Sequence, residues 1–129
     1  MATVYIDTNI LVYLLEQHDQ YSQAVASILE AFSKENSPLV TSVITITEFL
    51  AGTTSSSLET LHRVPRLQLV ALDETLAEQA AQLQRQTGLQ IGDAIHLATA
   101  LHQQASLLFT NDKQFAKLAA KFIKIKTLS

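Results

Sequence analysis

The sequence predicts a three-layer α/β/α domain in which helices cover both faces of a central parallel β-sheet. Short β-branched and aromatic runs alternate along the chain with longer segments in which apolar residues recur at helical spacing. The chain has 129 residues, of which 47% are hydrophobic and 16% charged. That size and composition are typical of one packed domain, here residues 1–129, and argue against disorder.

The predicted strands are short and mostly apolar, as expected of strands buried on both faces. They cover residues 3–6, 39–42, 67–72, 107–109 and 122–126. Each is separated from the next by at least one segment with helical character. This order predicts crossover connections and parallel pairing.

The predicted helices cover residues 9–16, 20–35, 73–88, 92–101 and 113–120. Asp73 is interpreted as an N-terminal cap and Gly88 as a C-terminal stop. Residues 43–50 are ambiguous, because the Ile-Thr-Ile-Thr alternation fits a strand whereas Ile46, Phe49 and Leu50 fit a helix. Residues 52–57, which are small and polar, indicate a loop or bend.

Composition excludes several kinds of chemistry. There are no cysteines, so disulfides, thiolate metal sites and cysteine nucleophiles are excluded. Three glycines cannot form a glycine-rich phosphate loop. The longest apolar run, residues 10–15, is far shorter than the roughly 20 residues of a membrane span. No basic residue precedes Lys34, so no signal peptide is indicated, and we expect a soluble cytoplasmic protein without membrane contact.

Charge is distributed unevenly along the chain, whose net charge is -3. Residues 1–62 contain one base and seven acids, whereas residues 63–129 contain eight bases and five acids. Lys113, Lys117 and Lys121 recur every four residues and would form a basic ridge on a helix. Such a ridge is either a solvated helix face or a strip that steers phosphates.

Four acids occupy positions that local structure explains only in part. Asp7 and Asp112 follow predicted strands, where the ligand crevice of a parallel sheet lies. Asp93 is placed at the start of a helix, and Glu48 lies in an otherwise apolar segment. Taken singly, Asp7 and Asp93 could be helix caps, Asp112 a turn residue and Glu48 an exposed helix residue.

Together, these acids indicate a metal site. Neighbouring carboxylates repel one another unless a positive charge lies among them. Of the basic residues, only Lys113 adjoins one of the four acids in sequence. A divalent cation is the natural partner, and oxygen ligands favour Mg²⁺ or Mn²⁺ over Zn²⁺. Such a site is suited to metal-assisted hydrolysis of phosphodiesters.

Four stretches, in this order along the chain, resemble the PIN-domain nucleases and in particular the VapC-type toxins of type II toxin–antitoxin pairs. They are YIDTN at 5–9, ITEFLAG at 46–52, GDAIHLATA at 92–100 and LFTNDKQF at 108–115. The resemblance implies a Rossmann-like fold and places Glu48 on a helix. It implies catalytic and metal-binding roles for four acids, Asp7, Glu48, Asp93 and Asp112. Asn9 and Thr110 match positions that usually support such a site.

The resemblance further implies a Mg²⁺- or Mn²⁺-dependent endoribonuclease with an RNA substrate, a cognate antitoxin and a homodimeric state. The segment between Gly52 and Leu67 looks shorter than the helical arm that helps form the dimer and the antitoxin groove in relatives. His96, one turn after Asp93, either orients a carboxylate or binds the metal. The other histidines are expected at the surface.

Three alternatives stay open at this point. The chain could be a PIN-fold module that binds metal or RNA without cleaving it. It could be an RNA-processing nuclease that has no toxin role. A phospho-acceptor domain of the receiver type is also a parallel sheet with clustered acids, but its expected acidic pair near the first strand is here the single Asp7.

Overall fold

Five parallel strands form one sheet in the computed structural model, which describes residues 2–52 and 57–128. The strands are β1 (Val4–Ile6), β2 (Leu39–Ser42), β3 (Leu67–Val70), β4 (Leu107–Phe109) and β5 (Ile125–Lys126). Their spatial order is β3-β2-β1-β4-β5. The first strand is therefore central, and its register pairs Val4 with both Leu39 of β2 and Leu107 of β4.

The helices of the described residues lie between these strands in the chain. They are α1 (Thr8–Leu15), α2 (Ser22–Lys34), α3 (Ile44–Gly52), α4 (Leu58–His62), α5 (Glu74–Thr87), α6 (Ile91–His102) and α7 (Lys113–Ala119). None of them is long and apolar enough to cross a membrane. The predicted α/β class with a parallel sheet is confirmed.

Side-chain alternation along β1 divides the core into two layers. Val4 and Ile6 pack with apolar residues of α1 to α4 on one face of the sheet. Tyr5, between them, points to the other face and packs with α5, α6 and α7. All three β1 residues are almost completely buried. The sheet is therefore covered on both faces, which gives the three layers that the sequence predicts.

Several predicted boundaries change in the structure. The third strand ends at Val70, and the last strand is reduced to Ile125–Lys126. Helix α6 begins at Ile91 with Gln90 as its N-cap, so the interpretation of Asp93 as a cap is wrong. Asp93 lies inside the first helical turn, which leaves its carboxylate available for other contacts.

The segment after α3 contains a short helix that the sequence analysis did not predict. Ser57 caps α4 by accepting a hydrogen bond from the backbone N–H of Thr60. The cap serine followed by an acidic residue in the first turn was the available signal. Of the predicted loop at 52–57, residues 53–56 lie outside the described part of the chain, and Gly52 is the last residue of α3.

Two predictions about helix ends can be compared directly. Asp73 caps α5 by accepting from the N–H of Leu76, and Gly88 ends that helix with a φ of 75°, which confirms both interpretations.

The basic ridge is only partly helical, because α7 ends at Ala119. Lys113 and Lys117 lie on α7, whereas Lys121 lies in the turn that follows.

Candidate active site

Asp7 lies at the carboxyl end of the central strand and is almost completely buried. Its backbone N–H donates to the carbonyl of Phe109, the last residue of β4. Its Oδ1 accepts from the N–H of Thr8 at 2.8 Å, and its Oδ2 accepts from Oγ1 of Thr110 at 2.7 Å. Asp7 therefore caps α1, but both oxygens are also held in fixed directions.

Burial raises the pKa of Asp7 above its ordinary value. The charge of His96 and the hydrogen bonds from Thr110 and Thr8 act in the opposite direction. The contact with His96 is longer than a hydrogen bond, since Nε2 lies 3.6 Å from Oδ1 of Asp7. A buried carboxylate that depends on nearby positive charge is a feature of functional sites.

Glu48 lies on α3 and faces the start of α1 and the start of α6. Its Oε1 accepts from Oγ1 of Thr8 at 2.6 Å and lies 2.7 Å from Nε2 of His96. Its Oε2 lies against Gly92, where an added Cβ would come within 3.0 Å. The glycine thus permits a close approach of α6 to the carboxylate. The expectation that Glu48 lies on a helix is confirmed.

His96 is completely buried and bridges two functional groups. Its Nε2 contacts Glu48, and its Nδ1 lies 2.5 Å from the hydroxyl of Tyr5. Burial lowers the pKa of His96, but the hydrogen bond with Glu48 and the charge of Asp7 outweigh it, so the pKa is raised. In the protonated form both ring nitrogens donate. The same hydrogen bond lowers the pKa of Glu48 against the effect of burial.

Hydrogen bonds to buried hydroxyls support this pair. Tyr5 accepts from the N–H of Ser42 at 3.0 Å. Thr41, Thr45 and Thr8 form a row of hydroxyls, with separations of 2.9 and 2.8 Å, and Thr8 donates to Glu48. Because Thr8 is the donor to Glu48, it can accept from Thr45. The sequence alone did not indicate a role for these threonines and Tyr5. The available signal was a polar side chain inside a buried strand, Tyr5 in β1 and Thr41 in β2.

Asp93 lies half-buried on the first turn of α6 and lines a cleft together with Asp112. Its pKa is raised to about 6, mainly by burial and then by the charges of Asp7, Asp112 and Glu48, against the lowering effect of His96. Asp93 therefore lies close enough to Asp7, Glu48 and Asp112, which are far from it in sequence, for their charges to act on it. That convergence is the geometry on which the predicted site depends.

Asp112 is exposed and caps α7, with Oδ1 accepting from the N–H groups of Gln114 and Phe115 at 3.0 and 3.1 Å. Its own N–H donates to Thr110, which is the residue that holds Asp7. Asn9 accepts from the N–H of Asn111 at 3.4 Å and so lies beside the same loop. Thr110 and Asn9 are placed next to the acids, as the resemblance implies, and their functional roles stay predictions.

A cleft of about 230 Å³ opens beside Asp93 and Asp112 and is also lined by residues 88–90, Gln114 and Leu118. It gives solvent access to the exposed side of the acidic cluster. A more apolar cavity of about 320 Å³ lies between α2 and the segment before β3, around Leu29 and Val64. We take the smaller cleft as the entrance to the site because the carboxylates line it.

The cluster fits a divalent cation in charge and in the type of its donor atoms. The ion pairs of lysine and arginine in the described residues lie elsewhere, at Glu30 and Glu59, and His96 is the cationic group at the cluster. Oxygen donors of this kind suit Mg²⁺ or Mn²⁺. Within the described residues, no three Asp, Glu or His groups form a ready ligand set. An ion would therefore require rotation of carboxylates that now face His96 or their helix caps.

The other charged residues named from the sequence lie at the surface. Lys113, Lys117 and Lys121 are exposed, the first two on α7 next to Asp112. His62 and His102 are exposed at the ends of helices, and His18 is exposed in the turn between α1 and α2. The surface position expected for these three histidines is confirmed.

A parallel α/β sheet with buried and half-buried carboxylates beyond its strand ends defines a class of domain that binds ligands at that edge. The family model of the PIN domain matches residues 4–121. The chain therefore belongs to the PIN domain family.

Solved structures share this fold over almost the whole chain. A toxin–antitoxin complex from Klebsiella pneumoniae superposes with a TM-score of 0.76 and 25% identity, covering 97% of both chains. VapBC2 from Rickettsia felis, bound to a DNA fragment from its promoter, superposes with a TM-score of 0.72 and 23% identity, covering 97% of this chain and 98% of that one. VapC20 of Mycobacterium tuberculosis, a sarcin–ricin loop cleaving toxin, superposes with a TM-score of 0.71 and 16% identity. The match covers 96% of this chain and 99% of that one. No curated protein matches the chain in sequence.

Proposed function

We propose that the chain is a metal-dependent endoribonuclease and the toxin of a toxin–antitoxin pair. The observation that carries this proposal is the convergence of four acids, Asp7, Glu48, Asp93 and Asp112. Asp7 and Glu48 both contact His96, Asp7 and Asp112 both form hydrogen bonds with Thr110, and Asp93 and Asp112 line the same cleft. The PIN family and the similarity to toxin–antitoxin complexes and to a toxin that cleaves RNA support it.

Asp7 and Asp93 are the proposed direct ligands of Mg²⁺ or Mn²⁺, with Asp112 on the open side and Glu48 acting directly or through a water. A bound divalent ion would activate a water molecule and stabilise the negative charge that develops on the phosphate. Thr110 fixes the direction of Asp7, and His96 with Thr8 fixes Glu48. The protein thereby supplies carboxylates whose positions are set before substrate binds.

Cleavage of RNA by the purified protein in Mn²⁺ tests the proposal. Asp7→Asn and Asp93→Asn should each lower the cleavage rate by at least about a hundredfold, which corresponds to about 2.7 kcal/mol of transition-state stabilisation. Asp73→Asn is the matched control, because Asp73 also follows a strand but only caps α5, a role that Asn can fill. Equal cleavage by all four proteins would assign the activity to a contaminant.

The alternative of a binding module without catalysis predicts a different result. Calorimetry would then show Mn²⁺ binding that Asp93→Asn abolishes, while no RNA is cleaved. Cleavage that depends on Asp93 excludes it, and cleavage without toxicity on expression would favour an orphan processing nuclease.

The partner proposal rests on the similar complexes, several of which are toxin–antitoxin assemblies. We propose a cognate antitoxin and a homodimeric toxin. Expression of the chain should arrest growth, co-expression of the neighbouring small reading frame should relieve it, and light scattering should give twice the mass of one chain.

A further inference from the structure

Three aromatic rings pack together at the turn between α1 and α2. The ring centroids are 5.0 Å apart for Tyr13 and His18, 4.9 Å for Tyr13 and Tyr21, and 5.1 Å for His18 and Tyr21. The rings of His18 and Tyr21 are nearly parallel, at 17°. Because His18 is exposed and both tyrosines are half-buried, these residues, named here the aromatic patch, offer ring surface to solvent.

The orientation of His18 is fixed by the backbone around it. Its N–H donates to the carbonyl of Tyr13 at 3.1 Å. Its Nδ1 accepts from the N–H groups of Gln20 at 3.2 Å and Tyr21 at 3.3 Å. A neutral ring in this arrangement carries its proton on Nε2. The ring is therefore held in place before any ligand arrives, which lowers the entropic cost of stacking on it.

The aromatic patch adjoins the acidic cluster through Asn111. The Nδ2 of Asn111 lies 3.5 Å from the hydroxyl oxygen of Tyr13, a long hydrogen bond. The Oδ1 of Asn111 accepts from the N–H of Leu128 at 3.3 Å, which turns Nδ2 toward Tyr13. Asn111 itself stands between Thr110, which holds Asp7, and Asp112. Asn111 therefore connects Tyr13 of the patch to the loop that carries Thr110 and Asp112.

Charge near the patch favours bases over phosphates as its ligands. The charged residues within two positions of His18 in the sequence are both acids, Glu16 and Asp19. The exposed Lys113 and Lys117 lie on α7, directly after Asp112. A nucleic acid strand could therefore place its phosphates toward α7 and a base over the rings, as aromatic platforms for single strands do.

We propose that the aromatic patch stacks an unpaired base of the RNA whose phosphodiester lies at the acidic cluster. This inference rests on the proposed nuclease function and assigns it a single-stranded substrate, because a base in a duplex is already stacked on its neighbours. His18 is the outer ring of the stack, supported from behind by Tyr21, and Tyr13 links the stack to Asn111 and the cleavage site.

The tyrosine content provides a direct test in the full chain. There is no tryptophan, and of the three tyrosines Tyr5 is buried while Tyr13 and Tyr21 belong to the patch. A labelled single-stranded oligoribonucleotide of about eight nucleotides is titrated in EDTA, so that binding is measured without cleavage. Anisotropy gives the affinity, and quenching of tyrosine emission reports stacking. An abasic strand of equal length should bind about tenfold more weakly and quench little.

Substitutions separate stacking from the stability of the turn. His18→Ala should weaken binding of the oligoribonucleotide about tenfold and leave binding of the abasic strand unchanged. His18→Phe, which keeps a ring at this position, should bind the oligoribonucleotide with the affinity of the wild type. His102→Ala, which removes an exposed histidine at the end of α6, is the matched control and should bind as the wild type does. Thermal unfolding shows whether each variant is folded. Tyr21→Phe keeps the ring that supports His18 and should bind the oligoribonucleotide as the wild type does.

The outcomes distinguish this inference from the proposed nuclease function. Equal affinity for the normal and the abasic strand, or unchanged binding by a folded His18→Ala variant, overturns the stacking role even if RNA is cleaved in Mn²⁺. Base-dependent binding without any cleavage supports the stacking role and contradicts the nuclease proposal. Equal loss of affinity for both strands by His18→Ala shows a purely structural role and also overturns the inference.

Discussion

The carboxylate of Glu48 on α3 and the imidazole of His96 on α6 are joined by a hydrogen bond of 2.7 Å between Oε1 and Nε2. The histidine is completely buried, whereas the side chain of Glu48 keeps 36% of its surface exposed. The pair thus connects the interior of the domain to the edge of the cleft. It raises the pKa of His96 and lowers that of Glu48, so that both charged forms stabilise each other.

We predict that His96→Ala destabilises the fold by about 3 kcal/mol, because it empties a completely buried position and removes one hydrogen bond each from Tyr5 and Glu48. Urea unfolding without divalent metal measures this difference. The control is His102→Ala on the same helix, whose exposed side chain should contribute less than about 0.5 kcal/mol. Equal unfolding midpoints for the two variants would show that the buried histidine does not stabilise the site.

Asp112→Asn should separate the contribution of Asp112 to capping α7 from the contribution of its negative charge to the site. The Asn side chain retains an oxygen that can accept from the N–H groups of Gln114 and Phe115, so the free energy of unfolding should change by less than about 0.5 kcal/mol. Loss of the carboxylate should lower Mn²⁺ affinity and RNA cleavage about tenfold or more. Asp112→Ala should lose about 1 kcal/mol of stability as well. An Asn variant with wild-type cleavage would remove Asp112 from the site.

Gly92→Ala tests the close approach of α6 to Glu48. The new methyl group would meet Oε2 at 3.0 Å, and Oε1 is already held by Thr8 and His96, so the carboxylate must shift by a few tenths of an ångström. Stability should change little because alanine favours the helix, whereas cleavage should fall about tenfold. Gly52→Ala is the matched control, since nothing lies within 4 Å of its added Cβ. Equal activities would show that this contact is unimportant.

Stability without metal should fall as the pH rises from about 5 to 7.5. The pKa of Asp93 is about 6 in the folded protein against 3.8 ordinarily, so between these values the folded state binds more protons than the unfolded state. His96 acts in the same direction, because its pKa is raised and its stabilising protonated form is lost above its ordinary pKa of 6.5. Glu48 has the opposite effect on stability, but only below about pH 4.5, because its pKa is lowered from that ordinary value.

Asp93→Asn should remove about 1 kcal/mol of this pH dependence, a value reduced for the half-exposed position of the carboxyl group. Melting temperatures across the pH range, measured in EDTA, provide the comparison. Asp73→Asn should leave the slope as it is in the wild type. A wild-type melting temperature that increases from pH 5 to 7.5 would contradict the assigned pKa shifts.

Much of the fold follows from the sequence, because the local pattern of apolar residues is imposed by the layers that bury it. The alternation of strands and helices, the cap at Asp73 and the stop at Gly88 are all visible in it. Residues 43–50 were ambiguous, since the Ile-Thr alternation has the period of a strand whereas Ile46, Phe49 and Leu50 have the spacing of a helix. Burial of Phe49 and Thr45 against neighbours distant in the chain settles that segment as α3.

The sequence by itself determined the residue types of the candidate site and their order along the chain. Only the tertiary structure decided that Asp93 is no helix cap, that His96 is paired with Glu48, and that Tyr5 and Thr8 bind this pair from two sides. Tyr5 and His96 are 91 residues apart in the chain. Contacts over such separations depend on the order of strands in the sheet and on how closely helices approach, which local patterns of hydrophobicity do not encode.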